Sequence, residues 1–268
     1  MKAILTLLML VIVILLVLNE LAQRLVIPAR WAWHWDLNPK KTFPVLEVSP
    51  TWKTDKIPKI IHQTAPADES QWHPAWIECQ KTWKEKFPDY EYKMWTDEDI
   101  EELIKTKYEW FWPTYQGYSK KVRKTQDAAR CIILYEYGGI YADMDYECIE
   151  NFMDQIPDGK VSISEDRFIG RWCHGSHYLN ALMMGPPKHP FWNYVMANLE
   201  LFKYGRNPLW STACHIIEES VRDCPESMFN ALSYADYTDG GKWARHLCTA
   251  TWVQPELREI QRAVYFNA

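Results

Sequence analysis

The stretch "YEYGGIYADMDYE" (residues 135–147) decides how the whole chain is read. Two glycines precede an apolar run, which ends in two aspartates one residue apart. Gly138 and Gly139 allow positive φ or the close approach of another backbone. Ile140, Tyr141 and Ala142 then read as a strand entering a core. Acids at the C-terminal end of such a strand stand where open α/β sheets collect their ligands. On an extended backbone Asp143 and Asp145 point to the same side, and two carboxylates on one face call for a positive partner. A hard divalent cation accepts such oxygens and brings phosphate oxygens along as further ligands.

The pattern upstream, from about Val122 to Tyr137, is helical and stops at Gly138. It carries Asp127 and Arg130 three residues apart. These form either an exposed i,i+3 ion pair, worth a few tenths of a kcal/mol, or a pair reaching the same pocket as the acids. Further upstream, "IPKIIHQT" (57–64) reads as a first buried strand and residues 72–87 as a helix ended by Pro88. "YEYKMW" (90–95) alternates like a strand. The acids after Thr96 mark a helix start, where negative charge is favoured. Downstream, "GKVSIS" and "YLNALMMGPP" read as strands, "HPFWNYVMANLELFKY" and "STACHIIEESVRD" as helices, and a loop-rich part runs to 268. Alternating strands and helices predict an α/β fold with a mainly parallel central sheet.

Composition narrows the function. A formal net charge of −5 over 268 residues argues against nonspecific nucleic-acid binding, which needs a basic face. Fifteen Trp and fifteen Tyr supply core, and also rings able to stack on bases and sugars. The seven cysteines show neither a CxxC pair nor zinc spacing, and the helical pattern puts Cys131 in the core as a buried thiol.

Residues Ala3 to Leu18 are apolar except for Thr6. The run is slightly short for a full span of about 20 residues and lacks a small-residue cleavage site. It reads as an uncleaved signal anchor over 1–20, ahead of a cleaved signal or a buried helix. Lys2 favours a cytoplasmic N-terminus and a luminal remainder. Residues 21–56 read as a stem rich in Pro, Trp and Lys. Its Trp31, Trp33 and Trp35 either sit at a membrane interface or pack back on the domain that follows at 57–268.

In this order, "IPKIIHQT", "YEYKMWTDEDIEELI", "DAARCIILYEYGGIYADMD", "NALMMGPPKHPFW" and "HLCTATW" resemble glycosyltransferase family 32 over roughly residues 57–252. These proteins carry a DXD sugar-binding region and include inositol phosphoceramide mannosyltransferases and α-1,6-mannosyltransferases. The resemblance implies a GT-A-like single domain, a nucleotide-sugar donor, Mn²⁺ (or Mg²⁺) and retention of anomeric configuration. Carried over by position, Asp143, Asp145 and His246 are implied metal ligands. Asp143 is also an implied donor contact, together with His62, Gln63, Asp127, Arg130, Gly139, Tyr141, Asn180 and Trp252. No residue is implied as a covalent nucleophile. The chain departs from the family at "STAC" (211–214), near the acceptor, and at Thr251, which keeps a hydroxyl. A type II Golgi membrane enzyme moving mannose from GDP-mannose to a glycan or glycolipid hydroxyl is the expected function. A non-catalytic carbohydrate-binding protein and another metal-dependent phosphate-handling enzyme are the alternatives.

Overall fold

The computed structural model describes residues 44–118, 124–166, 177–203 and 211–249, together with Ile14. Apart from Ile14, the anchor at 1–20 lies outside the described residues, as do Trp31, Trp33 and Trp35 of the stem and Trp252. Among the described residues, no helix is long and apolar enough to cross a membrane. The chain divides into two units, Met1–Pro44 and Val45–Ala268. The second starts upstream of residue 57, because the end of the expected stem is bonded into it. Leu46 N–H donates to Asn193 Oδ1 at 2.7 Å, Ser49 N–H to Lys188 C=O at 3.0 Å, and Tyr135 O–H to Glu47 C=O at 2.8 Å.

Strand β1 (Ile60–Thr64) leads to helix α1 (Pro74–Lys86), strand β2 (Glu91–Trp95), helix α2 (Asp97–Lys107) and the short helix α3 (Trp112–Gln116). Local chemistry sets these bounds. Pro74 stands in the first turn of α1, where its missing N–H costs nothing, and His73 Nδ1 accepts from Ala75 N–H at 3.2 Å. A capping box between Thr96 and Asp99 opens α2. Acids fill its first turn and Lys105 and Lys107 its last, matching the helix dipole.

Helix α4 (Lys124–Tyr137) runs straight into strand β3 (Gly139–Ala142). Gly138 ends the helix at φ 62°, its N–H donating to Leu134 C=O at 2.9 Å. Gly139 follows at φ 91°, and a Cβ there would lie 2.5 Å from Ile60 C=O. No L side chain fits, so α4 and β3 can join this tightly only through glycine.

Strand β4 (Tyr146–Cys148), β5 (Val161–Glu165), β6 (Tyr178–Gly185), helix α5 (Phe191–Leu201), helix α6 (Cys214–Asp223), strand β7 (Phe229–Leu232), the single turn α7 (Tyr234–Tyr237) and β8 (Ala244–His246) complete the described order. The main sheet runs β2-β1-β3-β6-β5-β7. All its pairs are parallel except those of β6, antiparallel to both neighbours. The expected mainly parallel α/β sheet is therefore present, with one reversed strand. β6 follows β5 without an intervening described helix, and Asp166 N–H bonds His177 C=O at 2.8 Å where it turns back. An antiparallel neighbour needs no crossover helix. The C-terminal ends of β1, β3, β5 and β7 and the N-terminal end of β6 consequently share one edge. β4 and β8 form a separate two-stranded sheet.

Trp83, Phe87 and Phe152 pack with Ile61, Ile140, Leu182 and Met184 in the core, all buried. Fully burying one such side chain is worth about 1.5–3 kcal/mol. Trp83 Nε1–H donates to Tyr146 C=O at 2.6 Å, which ties α1 to β4.

At the far end of α4, Glu136 joins three elements. It accepts from Lys107 at 2.5 Å, from Tyr108 O–H at 2.6 Å and from Lys188 at 2.5 Å. Burial alone would raise its pKa, but the bonds from Lys107, Lys188 and Tyr108 outweigh that and bring it down from 4.5 to about 2. A lowered folded-state pKa adds stability above pH 4.5 that is lost as pH falls toward 2. Replacing Glu136 by Gln is expected to cost about 1–2 kcal/mol at pH 7 and to flatten the acid limb of stability. Urea melts of both proteins between pH 3 and 7 measure this. An unchanged pH profile in the variant contradicts the network.

Candidate metal centre

Asp143 follows β3 directly. Its N–H donates to Ala181 C=O at 2.8 Å, adding one rung to the β3–β6 ladder. Tyr146 N–H then bonds Asp143 C=O at 2.9 Å, closing a turn. The two aspartates are thus not on an extended backbone, as the spacing alone implied. They converge because the chain folds back between them. Donor atoms of Asp143, Asp145 and His246 all lie within 4.8 Å of one another. Asp143 keeps 27% of its side-chain surface open, Asp145 13% and His246 14%.

Asp127 and Arg130 reach this place from α4. Their ion pair at 3.1 Å is not a surface pair, since the side chains are 13% and 7% exposed. Arg130 Nη1 also bridges to Asp143, 3.0 Å from Oδ1 and 3.2 Å from Oδ2, and donates to Asn180 C=O at 2.8 Å. Asn180, on β6, donates its Nδ2–H to Asp127 Oδ1 at 3.1 Å. Tyr141 O–H donates to Asp143 Oδ1 at 2.9 Å and lies 3.0 Å from Thr64 Oγ1. The Arg130 guanidinium sits over the Tyr141 ring, 4.8 Å from its centroid.

Asp145 is held from the other side. Thr249 donates to its Oδ2 twice, from N–H at 2.8 Å and from Oγ1 at 2.9 Å. Trp76 Nε1–H, on α1, fixes that hydroxyl at 3.1 Å. His246 Nε2 lies 3.3 Å from Asp145 Oδ1, and its ring stacks on Tyr146 with centroids 5.0 Å apart and a 10° tilt. The β4–β8 pairing, which sets Tyr146 against His246, brings this histidine in.

These surroundings separate the acids. Burial pushes Asp127 up to about 6, against the attraction of Arg130. Asp143 is also raised by burial despite Arg130. Asp145 is held well below the usual carboxylate range, because His246 and the Thr249 bonds outweigh its burial. Arg130 pairs with Asp127 and Asp143, while Asp145 faces His246, which Cys248 and Asp145 hold well above the ordinary imidazole range despite its burial. A cation that takes the ring's lone pair displaces that proton, and three carboxylates against one guanidinium then leave two negative charges, the amount a divalent cation offsets. Ligands at about 2.0–2.6 Å from such an ion can stand up to roughly 5 Å apart. The Asp143–Asp145–His246 set fits one both in spacing and in its oxygen–oxygen–nitrogen chemistry.

Three expected donor contacts stand elsewhere. His62 is fully buried: its Nδ1 accepts from Trp95 Nε1–H at 3.1 Å and its Nε2 lies 2.9 Å from Gly138 C=O. Desolvation lowers its pKa to about 4, so it is a neutral brace between β1, β2 and the glycine corner. Gln63, fully buried too, donates to Asp143 C=O at 3.2 Å and accepts from Tyr92. It supports the turn from behind. Gly139 faces the backbone of β1. The reason is common to all three: β1 and β3 are central strands, with both faces covered.

Thr64, Trp76, Thr212 and Thr249 escaped the sequence reading. Thr212 Oγ1 lies 3.4 Å from Asp127 Oδ2. Thr249 falls within the resembling "HLCTATW" segment, but single hydroxyl residues carry no local signal. Replacing Arg130 by Lys keeps a charge but loses the fork that holds Asp127 and Asp143 together. It is expected to cost about 2–3 kcal/mol of stability, read from denaturant melts. A variant as stable as wild type contradicts the buried bridge.

Known proteins match this chain over part of its length. Residues 74–163 match the family described as "Glycosyltransferase sugar-binding region containing DXD motif". "Inositol phosphoceramide mannosyltransferase 3" of Schizosaccharomyces pombe is 46% identical over 148 residues, covering 55% of this chain and 38% of that protein. "Mannosyl phosphorylinositol ceramide synthase SUR1" of Saccharomyces cerevisiae is 34% identical over 148 residues, 55% of this chain and 36% of that one. This chain thus spans less than half the length of these relatives. A solved structure titled "PaToxG Glycosyltransferase" aligns with a TM-score of 0.49 at 14% identity, covering 63% of this chain and 70% of that one. The motifs and the match coincide: residues 74–163, which hold Asp143 and Asp145, are similar to glycosyltransferase sugar-binding regions containing a DXD motif.

Proposed function

We propose that this chain is a retaining, divalent-metal-dependent glycosyltransferase with a GT-A-like domain, transferring mannose from GDP-mannose to a hydroxyl of a glycolipid of the inositol phosphoceramide type. The observation that carries this is the convergence of Asp143, Asp145 and His246 beside the buried Asp127–Arg130–Asp143 bridge. The mannose, the nucleotide and the acceptor rest on the printed names of the relatives and on the resembling motifs.

Asp143, Asp145 and His246 would hold Mn²⁺ or Mg²⁺, which neutralises the charge a diphosphate leaving group develops. The chain's own residues do the rest. Arg130 spends its N–H groups on Asp143, Asp127 and Asn180 C=O, so it orients those groups rather than reaching out itself. Asp127, fixed by Arg130 and Asn180, offers carboxylate lone pairs to a hydroxyl of the donor sugar. Tyr141 and Thr64 lock Asp143 so that it need not reorganise when charge arrives. Among the described residues around the site, no side chain is placed as a covalent nucleophile. A front-face transfer, in which the departing phosphate oxygen takes the acceptor proton, requires none.

The apolar run at 3–18 supports an anchor that keeps this site near a lipid acceptor, in a type II arrangement with a luminal Golgi domain. Release of nucleotide from GDP-mannose, and from other nucleotide sugars, tests the reading with wild type and Asp145→Asn side by side. Mn²⁺-dependent release that falls at least a hundredfold in the variant is expected. Equal hydrolysis by both proteins overturns the placement of the metal, and no release from any nucleotide sugar overturns the activity.

A further inference from the structure

The segment between Arg245 and Thr249 forms a hook around Asp145. Leu247 N–H donates to Asp145 C=O at 2.9 Å, and Thr249 N–H to Asp145 Oδ2 at 2.8 Å. Two amides two residues apart reach the same neighbour because the chain turns back between them. Cys248 makes that turn at φ 48°, in the left-handed region that side-chain-bearing residues rarely enter. Its thiol is directed as well: Sγ lies 3.4 Å from His246 Nδ1.

The other nitrogen of that ring faces the acids. A neutral imidazole carries one N–H and one lone pair. If Nε2 is to give its lone pair to a cation, the proton must sit on Nδ1, and metal-bound histidines hold that tautomer by donating to a second group. Among the described residues, the partner shown at Nδ1 is Cys248 Sγ. The stack on Tyr146 fixes the ring plane. Asp145 Oδ1, 3.3 Å from Nε2, draws the hydrogen the other way, so the sulfur holds it on Nδ1 once a cation occupies the Nε2 side.

We propose that Cys248 is a positioning residue for the metal centre: its sulfur accepts the Nδ1–H of His246 and so presents the Nε2 lone pair beside Asp145. The inference rests on the metal-site reading above. It makes Cys248 a residue that acts through His246 without touching the ion or the sugar.

Mn²⁺ binding to the full chain, followed by electron paramagnetic resonance of the free ion, tests this without turnover. Cys248→Gly keeps the left-handed backbone and removes the CH₂–SH side chain, whereas Cys248→Ser keeps the CH₂ and supplies another acceptor. Cys248→Gly is expected to weaken Mn²⁺ binding roughly ten- to a hundredfold, and Cys248→Ser to recover most of the loss. Long-range ¹H–¹⁵N spectra of the wild type loaded with diamagnetic Mg²⁺ should show the His246 proton on Nδ1. Wild-type affinity in Cys248→Gly overturns the proposal, as does a Cys248→Ser variant no better than Cys248→Gly. A wild type that binds no Mn²⁺ overturns the metal-site reading itself, and this inference with it. That outcome is distinguishable because wild type and both variants would then be equally silent.

Discussion

A guanidinium buried between two carboxylates is the constraint around which this molecule is arranged. Charges removed from water are costly unless paired and fully hydrogen-bonded. Arg130 meets that condition only if α4, β3 and β6 keep one registry, because its partners are Asp127 on α4, Asp143 after β3 and the Asn180 carbonyl on β6. The Gly138–Gly139 corner makes the registry possible. It lets the helix enter the strand with no intervening loop and with β1 packed against the bare Cα of Gly139. Pairing, corner and sheet order thus support one another.

The two aspartates of the turn share a short stretch of chain but not an environment. Asp143 is clamped by a cation and a phenol and keeps the more open face. Asp145 is wrapped by amide and hydroxyl donors from a distant segment and is the more firmly ionised. The uncompensated negative charge explains why the pair belongs at a sheet edge open to a cation, not inside the core.

Much of the architecture was legible residue by residue. α1, α2, α4 and β2 follow from apolar periods of 3.6 or 2 and from capping residues beside them. The left-handed glycines and the burial of Cys131 were readable for the same reason. The short strands β4, β7 and β8 were not, since three or four residues contain no period to detect. The reversed direction of β6 also went unread, because an antiparallel return leaves no helix pattern behind. His62 and Gln63 looked like ligands at a strand end. The register of β1 between β2 and β3 buries them instead.

Whatever acts within a few positions is written in the local order of residues: where helices start, where glycine must stand, which strand delivers the acids. The company those acids keep is of another kind. Thr249 lies 104 positions from Asp145, and Tyr146 meets His246 only through the β4–β8 pairing. No short-range pattern encodes a partner that far along the chain. Long-range pairing turned an exposed-looking D-x-D into a desolvated, asymmetric and charge-unbalanced centre, because burial and hydrogen bonding are properties of the folded surroundings.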